Sequence, residues 1–295
     1  MPSKHYVDEI FNEAIVHHNI QYGASHRRRK EHASPLFLDI YEPKGDTTEK
    51  RPLIVYAFGG AFLIGWRSQP PIPYMAKRWA KKGFVVASID HRKGFNVVSN
   101  RSAARAVYRS IQDLNAAVRY LVQHAEEYKI DVDNIILAGS SSGSISALHS
   151  AYMKPSDLLE MIFFEYKDLG SLYSSGNEFL KGNFIPIKAV INLWGAMFDL
   201  ASLDGKDPKK MPALISFHGA MDYIVHHEYN RPLLNPFFMK FYGSSKIHEK
   251  LNEIGVPNKI YYLKEQIHEP AIFLRKSRDF IVDKSSEFVA KILDL

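Results

Sequence analysis

Cysteine is absent from the chain, which excludes structural disulfides, thiolate metal sites and a cysteine nucleophile at once. Long apolar runs are missing too. Nothing approaches the roughly 18 uninterrupted apolar residues of a membrane-spanning helix, and Met1 to Ile20 lack the apolar stretch of a secretory leader. The expectation is a soluble chain without a membrane span, placed in the cytoplasm, with an exported protein whose leader has been removed as the alternative. Charge is only mildly one-sided: the net value is +6, and Arg27, Arg28, Arg29 and Lys30 form one short basic run with no second stripe beside it. A nucleic-acid partner is therefore not expected, and the run reads as a solvated loop. What remains is ordinary for a globular protein, with 46% apolar and 24% charged residues, enough to bury a core and solvate a surface.

Short apolar, β-branched runs recur along the chain at Leu53 to Phe58, Phe84 to Ile89, Ile135 to Ala138, Ala189 to Trp194, Ala213 to Phe217 and Lys259 to Leu263. Such runs suit buried parallel strands. Ahead of them, Asn19 to Tyr22 and Pro35 to Tyr41 fit two more strands, paired antiparallel at one edge. Helices are expected between them. Val107, Ile111, Leu114, Val118, Leu121 and Ala125 step by four and three, which makes one apolar stripe. Further helices are expected around Pro71 to Lys82, through Ile247, Leu251 and Ile254, and from Ser277 to Leu293; Val7, Ile10, Phe11, Ala14 and Ile15 outline an amphipathic one at the N-terminus. Strand alternating with helix implies an α/β fold: a single domain over 1–295 with a mainly parallel sheet covered on both faces. Met153 to Pro186 and His226 to Gly243 break the alternation. These are the candidate cap or pocket insertions, the second rich in aromatics around Phe237, Phe238 and Phe241.

The most informative motif is Gly139-Ser140-Ser141-Ser142-Gly143, directly after the Ile135 strand and ahead of a helix-compatible stretch. By chance the bare G-x-S-x-G pattern would appear in a chain of this length on the order of one time in ten, so its strand–turn–helix context matters. The spacing suits a sharp turn that holds Ser141 in a strained conformation, the flanking glycines allowing helix and strand to approach. A hydroxyl is a weak nucleophile and needs a base, and an ester's tetrahedral intermediate needs oxyanion donors. The amide of Ser142 is one candidate donor. Gly59-Gly60-Ala61-Phe62, after the Leu53 strand, offers the amides of Gly60 and Ala61.

Thirteen histidines make residue type alone a poor guide to the base. His268 follows the last strand and precedes the terminal helix, where a loop side chain reaches towards a neighbouring strand end. Asp222 leaves the strand Leu214 to Phe217 in the same way. Asp199, after the preceding strand, is the reserve acid, and His218 reads as a residue that fixes its loop. The cluster of His226, His227 and Glu228 lacks metal-ligand spacing, so no metal is expected.

From about Arg51 onwards the chain resembles the α/β-hydrolase family, and within it the bacterial carboxylesterases and hormone-sensitive-lipase-like esterases. The resemblance rests on Val55 to Phe62 as an oxyanion loop, Ser88-Ile89-Asp90-His91-Arg92 as a D-Y-R-like strand end, the Gly139 to Gly143 elbow, and His218 to Asp222. It implies Ser141, Asp222 and His268 as nucleophile, orienting acid and base, with no cofactor. Family members often carry His where Phe58 stands, Gly for Ala61, Tyr for His91 and an acidic residue for Ser140. Because Met153 to Pro186 and His226 to Gly243 offer little material for a large lid and the aromatics near Phe237 suit a compact apolar pocket, the expected activity is hydrolysis of small, short-acyl or aryl esters, acylated carbohydrates among them. A serine peptidase of the same fold and a catalytically silent binding protein are the alternatives; no propeller-like extra domain supports the first, and the three filled positions disfavour the second.

Overall fold

The computed structural model describes residues 5–26, 33–96, 98–153, 169–231, 240–264, 266–268 and 274–295. Eight strands form its central sheet: β1 (Ala14–Ser25), β2 (Ser34–Pro43), β3 (Arg51–Ala57), β4 (Val85–Ile89), β5 (Ile130–Ser140), β6 (Ala189–Leu193), β8 (Ala213–Gly219) and β11 (Asn258–Leu263). Their order is β1-β2-β4-β3-β5-β6-β8-β11. The first two ladders, β1 with β2 and β2 with β4, are antiparallel, and every later one is parallel. Three very short strands, β7 (Ala196–Met197), β9 (Tyr229–Asn230) and β10 (Phe241–Gly243), pair as a separate antiparallel sheet.

Alternation along the strands builds two cores. Leu53, Val55 and Ala57 point to one face while Ile54, Tyr56 and Phe58 point to the other, and β4, β5 and β6 repeat the pattern. Helices α2 (Asn100–Gln123), α3 (Ser142–Tyr152) and α4 (Ser244–Glu253) cover the first face. On the second lie α1 (Ile72–Lys81) and α5 (Arg275–Ile292), tied together by the Trp79 indole donating to Ser285 Oγ at 3.1 Å. With both faces covered, the central strands are predominantly apolar, in keeping with their sequence runs. No helix among the described residues is long and apolar enough to cross a membrane.

Three elements differ from the expectations. The N-terminal helix does not form: Ala14 and Ile15 are already paired with Pro43 and Glu42 in β1, and the amides of Tyr6 and Phe11 donate to Lys82 and Lys81 at the end of α1. The helical spacing of five apolar residues is there outweighed by the chance to complete a ladder. Helix α2 begins seven residues before the first stripe residue, at Asn100, because Ser99 caps it by accepting from the Ser102 amide. Strand β11 is parallel but half-exposed, since among the described residues it lies at the sheet edge with β8 as its only neighbour in the sheet.

Of the first candidate insertion, 154–168 lies outside the described residues. The part that follows is strapped along α2: Gln112 Nε2 donates to the Leu169 carbonyl, Arg119 to those of Ser175 and Phe179, and Asn177 Nδ2 returns to Ala116 and Tyr22. In the second insertion, β9 and β10 belong to the small sheet, while Phe237 and Phe238 lie outside the described residues.

The strand end Asp90-His91-Arg92 pins β4 to α2. Buried Arg92 donates from its backbone amide and its Nε to Asp113, itself fully buried, and from Nη2 to Gln112 Oε1. Burial pushes the Asp113 carboxyl above its usual range, against the pull of Arg92. Replacing Asp113 by Ala leaves a buried guanidinium without its counter-charge, and the expected loss is about 3–5 kcal/mol. Urea unfolding of the variant against the parent measures it.

Candidate active site

Strand β5 ends at Ser140, α3 begins at Ser142, and the residue between them carries the whole change of direction. Ser141 has φ +49° and ψ −118°, a conformation that costs a non-glycine residue on the order of 1–3 kcal/mol. Its amide donates to the Leu193 carbonyl on β6 at 2.8 Å, and its carbonyl accepts from Ile145 in the first turn of α3. The flanking positions admit only glycine. A Cβ on Gly139 would stand 2.6 Å from the Gly143 carbonyl carbon, and one on Gly143 would stand 2.1 Å from the Ala57 oxygen and 2.5 Å from that of Phe58.

Above this turn the three residues singled out from the sequence meet. His268 Nε2 lies 2.7 Å from Ser141 Oγ, and His268 Nδ1 lies 2.7 Å from Asp222 Oδ2. All three are buried. The loops carrying acid and base are joined by backbone: Ala220 donates to Leu263 and Met221 to Gln266. Asp222 Oδ1 accepts from the amides of Ile224 and Val225, both at 2.9 Å, which leaves Oδ2 to the imidazole. Burial alone would raise the Asp222 pKa, but the His218 and His268 rings outweigh it and hold the carboxyl well below the usual carboxylate range. A carboxylate so placed accepts the Nδ1 proton of His268, which leaves Nε2 free to take the proton of the Ser141 hydroxyl.

Asp199, the reserve acid, is engaged elsewhere: its two oxygens accept from the amides of Ala201 and Ser202. His218 sits behind Asp222 with Nε2 2.8 Å from the Val225 carbonyl. His227 hydrogen-bonds to Ser245 Oγ through Nδ1.

The three candidate oxyanion donors come from two elements. Ser142 is the first residue of α3, where amides lack intrahelical acceptors and the helix dipole favours negative charge. Gly60 and Ala61 lie in the turn after β3, where Leu63 and Ile64 donate back to the Gly60 carbonyl. Gly60 has φ +131°, and a Cβ there would meet the Ile64 oxygen at 2.3 Å. Ala61 also has positive φ, +54°. Phe58 braces this turn by stacking: its ring centroid is 4.0 Å from that of His91 at 19°, with Lys93 Nζ 5.6 Å away. Burial pushes His91 down to about 3, so the stacked imidazole stays uncharged under the loop.

Ala61, Ser141 and Ser142 open into one cavity of about 100 Å³. Its walls are apolar, built from Phe95, Val107, Ile145, Phe198, Val225 and Phe241 among others. Of the aromatic insertion, Phe241 reaches it. Phe95, Phe198 and the α2 wall escaped sequence reasoning because nothing in an apolar residue tells a cavity wall from a core.

A second set of residues missed from the sequence lies beneath the elbow. Asn192, in the otherwise apolar β6, accepts from the Gly195 amide and donates to Ser216 and Ser244, while the Ser144 hydroxyl reaches Asn192 Oδ1 and the Gly139 carbonyl. A polar residue within a buried strand was the available signal.

The chain is similar to known proteins in sequence and in fold. The BD-FAE family model matches residues 38–214. A probable isoprenylcysteine α-carbonyl methylesterase of Arabidopsis thaliana is 21% identical over 312 residues, covering 96% of this chain and 57% of that protein, so the chain spans little more than half the length of this relative. A propionate-bound esterase of Thermogutta terrifontis superposes with a TM-score of 0.63 at 20% identity, over 93% of each chain. A truncated carbohydrate esterase from gut microbiota does so with a TM-score of 0.60 at 21% identity, over 97% of this chain and all of the other.

The elbow's packing yields a stability test. Gly143→Ala forces α3 off the end of β3, and the expected cost is at least about 2 kcal/mol, with overpacking and backbone displacement both contributing. Thermal unfolding measures the cost, and a variant as stable as the parent would contradict the contact.

Proposed function

The chain belongs to the BD-FAE family and has the α/β-hydrolase fold; on that premise we propose that it is a carboxylic-ester hydrolase working through an acyl-enzyme on small esters. The observation that carries the reading is the unbroken chain of contacts from Asp222 through His268 to Ser141, with 2.7 Å at each link. Ser141 Oγ attacks the ester carbonyl as His268 Nε2 takes its proton, and the amides of Ser142, Gly60 and Ala61 donate to the oxyanion. His268 then returns the proton to the departing alcohol. Water repeats the sequence on the acyl-enzyme, releasing the acid and restoring Ser141.

Cavity size and chemistry support a short acyl group. An apolar cavity of about 150 Å³ holds a benzene-sized guest, so one of about 100 Å³ suits a chain of a few carbons. An esterase with propionate bound and a carbohydrate esterase among the structural relatives are consistent with short-acyl esters and with acylated carbohydrates as substrates. A peptidase reading gains no specific support.

Ser141→Ala is expected to abolish hydrolysis of p-nitrophenyl acetate while leaving the melting temperature nearly unchanged. Asp222→Asn should lower turnover by about 10⁴-fold through a mis-set histidine tautomer, whereas Asp199→Asn should stay near the parent rate; steady-state kinetics on the purified variants decide, and the reverse ranking would reassign the acid. Among acetyl, butyryl and palmitoyl esters the first two should be preferred. A palmitoyl preference that appears only with emulsion would overturn the small-substrate reading in favour of a lipase.

A further inference from the structure

We propose that His218 is a positioning residue for Asp222, and that Asn192 and Ser244 set the tautomer in which it works. The proposal rests on the ester-hydrolase reading for its kinetics, although its geometry stands apart from it.

His218 is fully buried at the end of β8. Its Nε2 lies 2.8 Å from the Val225 carbonyl oxygen and 3.3 Å from Asp222 Oδ2. Both are acceptors, so the proton belongs on Nε2. The opposite nitrogen, Nδ1, is 2.7 Å from Ser244 Oγ.

The chain leading to Nδ1 has only one consistent direction. The Gly195 amide donates at 2.9 Å to one side-chain atom of Asn192, which must therefore be the oxygen. The Asn192 amide nitrogen then donates to Ser216 Oγ at 2.8 Å and to Ser244 Oγ at 2.9 Å. Having accepted from Asn192, the Ser244 hydroxyl donates to His218 Nδ1. Nδ1 is an acceptor by this route and Nε2 a donor by the other, so the two ends of the ring agree.

The consequence falls on the turn that carries the acid. Val225 donates its amide to Asp222 Oδ1 and receives the His218 proton on its carbonyl, so His218 closes the turn 222–225 around the carboxylate. The same N–H edge brings positive potential to Oδ2, the oxygen that orients His268. With the proton on Nδ1 instead, an imidazole lone pair would face both oxygens and push them apart.

A second arm of the network serves as an internal control. Asn258 Nδ2 donates to Asn252 Oδ1 and to the Val256 carbonyl, so Asn258 Oδ1 accepts from His248 Nδ1, and His248 Nε2 accepts from the Ser216 hydroxyl. Ser216 and Ser244 are thus both fully buried and both bonded to Asn192, but the hydroxyl that hydrogen-bonds to His218 is that of Ser244, while that of Ser216 goes to His248.

The test compares Ser244→Ala with Ser216→Ala, and His218→Phe with His218→Gln, on p-nitrophenyl acetate and by proton NMR of the His268 Nδ1–H that bridges to Asp222. Each serine variant should lose similar thermal stability. Turnover should fall about 10-fold in Ser244→Ala and stay within about threefold in Ser216→Ala, with KM little changed in either. His218→Phe should fall about 100-fold, and His218→Gln, whose amide can still donate to Val225, should recover part of that loss. The bridging proton should shift in Ser244→Ala and His218→Phe and hold in Ser216→Ala. Equal kinetic and spectral effects of the two serine variants, or a His218→Phe enzyme within about threefold of the parent, would overturn the proposal. If His218→Phe fails to fold, the serine pair decides. If the parent chain hydrolyses no ester, the bridging proton still reports on His218, so the two readings fail separately.

Discussion

The contact between Gly143 and the carbonyls of Ala57 and Phe58 is the constraint from which the site follows. It presses the first turn of α3 against the end of β3, closer than any side chain permits. Two consequences arise together. The chain between β5 and α3 has no room to turn gradually, so Ser141 takes the strained conformation that lifts its hydroxyl above the sheet. The α3 N-terminus is also brought beside the turn leaving β3, so that the amides of Ser142 and of the Gly60–Ala61 segment derive from neighbouring elements. The strain at Ser141 persists because hydrogen bonds to Leu193 and Ile145 hold the residue from both sides.

Around that contact the protein distributes its polar groups unevenly. The turn after β3 rests on stacked rings, Phe58 on His91, and burial keeps the imidazole uncharged. The acid side is held by hydrogen bonds: backbone amides on Asp222 Oδ1, and His218 and Asn192 behind them. A turn that only has to present amides can be held by shape. A carboxylate that must stay ionised while buried needs donors, because burial by itself favours its neutral form.

Much of this organisation was legible in the residues. Five of the six apolar runs became buried strands because a strand covered on both faces has little choice of composition, while the sixth became the half-exposed edge strand β11; Ser141 was singled out by its elbow motif, and Asp222 and His268 by their places after strand ends. Legibility failed where meaning depends on distant partners. Val7 to Ile15 carry helical spacing, but the ladder of β2 takes Ala14 and Ile15 while the carbonyls of Lys81 and Lys82 take the amides of Phe11 and Tyr6, and no local pattern announces either. Ser216, Ser244 and His248 are unremarkable in sequence; only when β6, β8 and α4 pack together do they form a chain with Asn192. Val107 reads as one more residue of an apolar stripe, and the difference between lining a core and lining a cavity is a matter of what stands opposite.

The turn from Asp222 to Val225 does two things with different atoms. Its backbone amides hold the carboxylate, while the side chains of Ile224 and Val225 face the cavity. Exchanging those side chains for others of compatible shape reshapes the pocket without removing a single hydrogen bond from the acid. Natural or laboratory drift at these two positions is thereby partly insulated from the hydrogen bonds on Asp222, and on the proposed ester-hydrolase reading single substitutions there would change the acyl group accepted while the contacts among Asp222, His268 and Ser141 stay in place.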